Sequence, residues 1–303
     1  MGQPATIVTP REALPSGKRR PWGSRLDSQD EIATRASAPI GAEAARNDSL
    51  GPPDGTHSPK TELLEQQARP FLSVVIPAYN EERRLVPTLA RIQQYLAAQG
   101  YRSEIIVVDN ASSDRTSEVA RAAGVRVLPE PTRGKGAAVR AGMLAASGEY
   151  VLFSDADLST PIEEIEKLLA ALRAGADVAI ASRALPESNI TVHQPWYREL
   201  VGRAGNVLVR ALAVHGVADT QCGFKLFPHD SAQRLFGAQR MTGIAFDMEI
   251  LFLAQRLKMK IAEVPVTWVD SPDSRIDRVR DSLDAIKDLV RIRWNWLLRR
   301  YRV

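Results

Sequence analysis

The chain has 303 residues, 44% hydrophobic and 25% charged, with a formal net charge of +4; this is an ordinary globular composition, enough for one large domain or two small ones. Its single cysteine, Cys222, excludes an intrachain disulfide, and four scattered histidines (His57, His193, His215, His229) argue against a zinc site. No apolar run reaches the roughly 18–20 residues of a membrane span, and no apolar h-region marks a secretory signal.

Residues 1–70 are rich in Pro, Ala, Ser, Gly and charge, without an apolar period, and read as a disordered or weakly ordered extension with one short helix at most, over 61–69. Nine Lys/Arg match nine Asp/Glu there, so the tail gives no argument for nucleic acid. From Phe71 onward the pattern changes. FLSVVIPAYN predicts a first strand and EERRLVPTLARIQQYLAAQG a first helix, with Pro87 near its start. EIIVVDN is a second strand, and SSDRTSEVARAAG a second helix capped by Ser113 or Asp114. VRVLPE and RGKGAAVRAGMLAASG follow as strand and helix. YVLFSDAD and TPIEEIEKLLAALRAG are the fourth strand and helix, with Thr160 as N-cap and Pro161 in the first turn, and DVAIASR is the fifth strand. Continuous apolar strands alternating with helices predict an α/β fold, a mostly parallel sheet covered on both faces. In such sheets ligands sit beyond the carboxyl ends of the strands.

Several charged residues fall at those ends. Glu81 follows the first strand, Asp109 closes the second, Asp155 and Asp157 close the fourth and Arg183 closes the fifth. If strands one, two, four and five lie side by side, these side chains converge on one edge. Asp109 suits a helix cap equally well. The Asp155/Asp157 pair does not, because one helix start needs one cap. Two carboxylates separated only by Ala156 raise each other's pKa unless a positive charge lies between them. Mg²⁺ or Mn²⁺ prefers oxygen ligands, so one or two carboxylates plus phosphate oxygens suffice to hold it. The RGKGAAV turn is not a Walker A loop, which removes a kinase or NTPase reading. It either offers backbone N–H groups and Lys135 to an anion or is a tight turn with a solvated lysine.

PAYNEE (77–82), VVDNASSD (107–114), RGKGAAVRAGM (133–143), SDAD (154–157), ASR (181–183) and DTQCGFKLF (219–227) together resemble family 2 glycosyltransferases, over about 71–280. Within that family the chain resembles the dolichyl- or polyprenyl-phosphate β-glucosyltransferases and, next, the mannosyltransferases. The resemblance implies a GT-A fold, a nucleotide-sugar donor, a divalent metal and inversion at the anomeric carbon. It implies that Pro77, Tyr79 and Glu81 wall the nucleobase and ribose, with Asp109 contacting the base. It implies that Asp155 reaches the ribose and a metal-bound water, that Asp157 ligates the metal, and that Arg183 contacts sugar or phosphate. Tyr79 also reads as a partly buried aromatic and Arg183 as a salt-bridge partner. Asn110 stands where relatives carry a second acid, and Ser159 where some carry a Gln metal contact.

The second half supplies the acceptor side. A loop and helix are expected from Gln194. Gln221 and Lys225 lie in DTQCGFKLF, and Asp247 and Glu249 near the start of a helix, FDMEILFLAQRL. Asp247 stands where the resemblance implies a base toward a hydroxyl acceptor; otherwise it is a partner that positions Lys225 or the acceptor, or a helix-start acid favoured by the dipole. KIAEVPVTW reads as a strand, and the loop after it carries Ser274 and Arg275, the latter an anion clamp. Residues 276–303 form a C-terminal amphipathic segment; from Arg275 onward nine Lys/Arg face four Asp, with Trp294, Trp296 and Tyr301 near the end. Such a helix can lie in an anionic bilayer interface, here through 291–303. The expected protein is a metal-dependent hexosyltransferase, moving glucose from UDP-glucose to a polyprenyl or dolichyl phosphate, cytoplasmic and peripheral on the inner face of the membrane. GDP-mannose as donor, a hydroxyl acceptor, and a non-catalytic nucleotide-sugar-binding protein are the alternatives. The sequence says nothing of oligomeric state.

Overall fold

The computed structural model describes residues 69–190, 214–269 and 278–302, with side chains of the last segment described from Lys287 onward. The extension up to residue 68, the helix expected from Gln194, Ser274 and Arg275 lie outside the described residues.

In chain order the elements are β1 (Leu72–Ala78), α1 (Glu82–Ala97), β2 (Ser103–Asp109), α2 (Thr116–Ala122), β3 (Arg126–Pro129), α3 (Lys135–Ala145), β4 (Tyr150–Ser154), a 3-10 turn (Ile162–Glu164) running into α4 (Ile165–Arg173), and β5 (Val178–Ser182). Then come β6 (Asn189–Ile190), β7 (Phe224–Pro228), α5 (His229–Ala238), α6 (Phe246–Arg256), β8 (Ile261–Pro265), β9 (Thr267–Trp268) and α7 (Arg278–Leu297). Seven strands form one sheet in the order β3-β2-β1-β4-β7-β5-β8, and β6 pairs with β9 separately.

Alternation of side chains across the pleat divides the core in two. Val75, Ile106, Val108, Val151 and Phe153 face α3, α5, α6 and α7 on one side. Val74, Ile76, Ile105, Val107 and Leu152 face α1 and α4 on the other. Both faces are covered, so the strands are near-continuous apolar runs.

Strands β4 and β5 are not neighbours. Strand β7 enters between them, antiparallel to both, with Ser154 opposite Phe224 and Ile180 opposite Lys225. Among the described residues it is the one reversed strand of an otherwise parallel sheet. Its insertion brings the chain around Asp219–Lys225 to the same edge as the carboxyl ends of β4 and β5. The expected cap of the fourth helix is also different. The hydroxyl of Thr160 is buried and faces the Cys222 sulfur at 3.8 Å, and Pro161 stands at the N-cap position without a side-chain cap. Asp114 lies one residue before the N-cap of α2, where it accepts from the Thr116 and Glu82 backbone N–H groups and so ties the starts of α2 and α1 together.

Candidate active site

The carboxyl edge gathers Pro77, Tyr79 and Glu81 after β1, Asp109 at the end of β2, and Asp155–Asp157 after β4. Lys135 stands at the start of α3, Arg183 follows β5, Lys225 lies in β7 and Asp247 in the first turn of α6.

Lys135 is not a solvated lysine. Its Nζ lies 2.7 Å from Asp155 Oδ1, and the two side chains keep 32% and 35% of their surface. Burial pulls the ammonium's pKa down, but the carboxylates of Asp155, Asp247 and Asp157 outweigh it and hold the pKa above its ordinary value. The Gly134 N–H donates to Asn110 Oδ1 at 2.8 Å, and the Ala137 N–H donates to the Thr242 carbonyl at 3.1 Å. The protein itself therefore uses part of the α3 N-terminus, and the cationic group of this turn is the Lys135 ammonium, held on Asp155. Gly134 has φ +136, a conformation that favours glycine, and a β-carbon there would overlap the Thr242 carbonyl.

Asp155 also fixes its neighbour. A β-carbon on Gly223 would overlap the Asp155 carboxylate, and the Asp155 N–H donates to the Gly223 carbonyl at 3.0 Å. Asp157 Oδ1 accepts from the Ser159 N–H at 3.1 Å, and its Oδ2 accepts no protein hydrogen bond among the described residues. The carbonyl of Ala156, between them, accepts from the buried Thr88 hydroxyl at 2.8 Å, which anchors the loop to α1.

Behind this open pair lies a sealed one. Lys225 Nζ contacts Asp247 Oδ1, both side chains 2% exposed, and donates to the Cys222 carbonyl at 2.6 Å. Burial pushes the Asp247 carboxyl up, against the pull of Lys225 and Lys135. Burial likewise pushes the Cys222 thiol up to about 11, so it stays protonated. Arg183 grips Asp219 in a two-pronged pair at 2.7 and 3.0 Å, and its guanidinium lies 5.5 Å from the Trp268 ring centroid. Burial pushes the Asp219 carboxyl up, but Arg183 holds it below its ordinary value.

Beyond the end of β1, Tyr79 is 41% exposed, with the Arg133 guanidinium 5.1 Å from its ring centroid. Glu81 pairs with Arg84 at 2.9 Å, and Asp109 Oδ1 accepts from the Ser112 N–H at 3.2 Å. Gln221 is exposed beside Asp219. Asn110, assigned no role from sequence, is a buried latch. Its amide donates to the Glu130 and Thr132 carbonyls at 3.1 and 2.7 Å and its oxygen holds the Gly134 N–H, so β2, the loop after β3 and α3 are joined.

Among the described residues no group of three or more His, Cys, Asp or Glu could hold a metal ion. The donor set still fits a hard cation that takes its other positions from ligand oxygen and water. Asp155 and Asp157 are oxygen ligands on one loop, partly open to solvent. The three carboxylates Asp155, Asp157 and Asp247 outnumber the two ammoniums, which leaves excess negative charge.

An open, mostly parallel sheet with acidic residues, a partly open lysine and an aromatic shelf at its carboxyl edge is the GT-A arrangement. The family model described as glycosyl transferase family 2 matches residues 73–236. Dolichyl-phosphate beta-glucosyltransferases of Trichomonas vaginalis and Homo sapiens are each 37% identical, over 73% and 77% of this chain and 72% and 78% of theirs. A crystal structure of glucosyl-3-phosphoglycerate synthase from Mycobacterium tuberculosis, in complex with Mn²⁺, UDP-glucose and glycerol 3-phosphate, superposes with a TM-score of 0.59 at 22% identity, over 78% of this chain and 85% of that one. The chain belongs to glycosyl transferase family 2 and is a nucleotide-sugar-dependent glycosyltransferase.

Proposed function

We propose that the protein transfers glucose from UDP-glucose to a polyprenyl or dolichyl phosphate, with inversion and with Mg²⁺ or Mn²⁺ as its cation. The observation that carries the reading is the open Lys135–Asp155 pair standing in front of the sealed Lys225–Asp247 pair at one sheet edge. The relatives are named for glucose and dolichyl phosphate, which are the sugar and acceptor assigned here. Pro77, Tyr79, Glu81 and Asp109 take the nucleobase and ribose. Lys135 exchanges its Asp155 contact for a diphosphate oxygen. Asp155 and Asp157 would hold the cation, which when bound neutralises charge developing on the departing diphosphate. Arg183 and Gln221 belong to the sugar and acceptor side, with Lys225 supporting it from its sealed pair with Asp247, and Ser274 and Arg275 to a phosphate clamp.

In the transfer a phosphate oxygen of the acceptor attacks C1 of the sugar. The bond from C1 to the diphosphate breaks, and its electron pair leaves with the nucleotide. No proton moves, because the acceptor phosphate is already ionised at neutral pH. Asp247 then needs no role as a base, and its burial against Lys225 suits a framework carboxylate. The test is a screen of nucleotide sugars with Mn²⁺ or Mg²⁺, with and without polyprenyl phosphate. Glucose transferred from UDP-glucose only when lipid phosphate and cation are both present is the expected result. Equal transfer to a plain alcohol would refute the acceptor assignment.

A membrane-borne acceptor calls for a docking surface. Among the described residues no helix is long and apolar enough to cross a membrane. Of the three aromatics near the end of the chain, two turn inward: Trp296 packs on Phe252, and Tyr301 is buried. Outward stand Val290, Trp294, Leu297 and Leu298, with Arg291, Arg293, Arg299, Arg300 and Arg302 also exposed around them. We assign this stripe to an anionic bilayer surface, with the protein peripheral on the cytoplasmic face. Sedimentation with phosphatidylserine vesicles should weaken with salt and with a Trp294→Ser/Leu297→Ser/Leu298→Ser variant. Full-length protein left in the supernatant at low salt would refute the assignment.

A further inference from the structure

The carboxyl of Glu249 is fully buried two residues after Asp247, outside the pairs described above. Its partners come from two other parts of the chain. Oε1 accepts from the Tyr301 hydroxyl at 2.6 Å, in the C-terminal tail. Oε2 accepts from the backbone N–H groups of Arg240 at 3.0 Å and Met241 at 2.8 Å. The tail is tied to the same segment a second time, because Arg240 Nε donates to the Arg300 carbonyl at 2.9 Å.

The segment so held is the one against which α3 begins. Thr242 accepts the Ala137 N–H, and Gln239 Nε2 donates to the Gly136 carbonyl at 2.9 Å and the Met241 carbonyl at 2.7 Å. Contact is close enough that a β-carbon on Gly136 would lie 2.7 Å from the Met241 oxygen and 2.8 Å from the Gly243 oxygen. The segment therefore cannot shift without moving the start of α3, whose first residue is Lys135.

We propose that Glu249, braced by Tyr301, is a positioning residue for Lys135, so that the seating of the C-terminal tail sets where the donor-facing ammonium stands. The proposal rests on the reading of Lys135 as the diphosphate contact and gives the tail a second task beside docking. A buried carboxylate that loses one of its donors must find another, and its remaining partners shift with it. A glutamate that served stability alone would leave Lys135 untouched.

The test uses the full chain with Tyr301→Phe, and Glu249→Gln as the conservative companion. Two quantities are read: the rate at which an amine-acylating reagent labels Lys135, by mass spectrometry, and the affinity for UDP with Mn²⁺. Tyr301→Phe should raise labelling and weaken UDP binding, each by about fivefold, the scale of one buried hydrogen bond. Glu249→Gln, which keeps an acceptor for the two N–H groups, should stay near wild type. In a Lys135→Ala background Tyr301→Phe should leave UDP affinity unchanged, because the coupling has no lysine to act through. Unchanged Lys135 labelling in folded Tyr301→Phe protein overturns the proposal, as does an equal loss of affinity in both backgrounds. Raised labelling in a protein whose wild type binds no UDP supports the positioning and overturns the donor reading instead.

Discussion

Two lysine–aspartate pairs share the Phe153 ring, with Lys135 Nζ 5.3 Å and Lys225 Nζ 5.8 Å from its centroid, and they differ chiefly in access to water. The first keeps about a third of its surface, 32% and 35%; the second keeps 2% on each side. Water screens the first pair, so parting it costs little and a ligand's phosphate can take the aspartate's place. The second pair has no such exchange open to it. Parting it strands a charge in a low-dielectric interior. Identical chemistry thus yields a replaceable contact in one place and a fixed framework in the other.

The sealed pair is where a substitution should cost most. Lys225→Met leaves Asp247 buried alone and should destabilise the fold by about 3–5 kcal/mol, read from the urea midpoint. Adding Asp247→Leu should restore most of it; a single variant as stable as wild type would erase the distinction. Next in size is Asp157→Ala, which should lower transfer by about a hundredfold, or ~3 kcal/mol, while leaving the unfolding midpoint in place. Near-normal turnover would remove Asp157 from the cation site.

A third pair, intermediate in exposure, responds to pH. The Arg183–Asp219 pair is open on one side only, at 33% and 7%. Asp219 sits below its ordinary value of 3.8, so its contribution to stability is present above 3.8 and is lost as pH falls from there through the folded-state value. Acid unfolding should therefore steepen below about pH 4, and Asp219→Asn should flatten that part of the curve. The smallest effect belongs to the open pair. Lys135→Ala should change stability by less than about 1 kcal/mol and yet weaken UDP binding, measured by calorimetry. Unaltered binding would return Lys135 to the surface charges.

The strands and the acidic edge were legible because each strand is an uninterrupted apolar run ending in a charged or turn residue. The reversed strand β7 was not. FKLFP is short, and its polar Lys225 gives no sign that the chain runs backward between β4 and β5. The importance of Gly223 was hidden too, since its need for space comes from Asp155, far away in sequence. Asn110 looked like a lost acid because its three partners belong to a loop that sequence order does not bring near. Thr160 was a reasonable cap by type, but its hydroxyl is drawn inward to Cys222. The tail divided in two: aromatic clustering signalled a special surface, but only the contacts of α6 decide that Tyr301 and Trp296 turn inward and Trp294 outward.

The reversed strand also sets a schedule for assembly. Until Phe224–Pro228 has been synthesised and has slid into its slot, β4 and β5 each present an unpaired edge, ready to pair with a wrong strand. Closing that gap joins segments far apart in sequence, which is the slow kind of contact. The nascent chain thus carries the loops after β1, β2 and β4 early but cannot bring Lys225 and Asp247 together until late. A ribosome-bound fragment ending before β7 would hold half a sheet, with the β4 and β5 edges unpaired and without Lys225 at its carboxyl end.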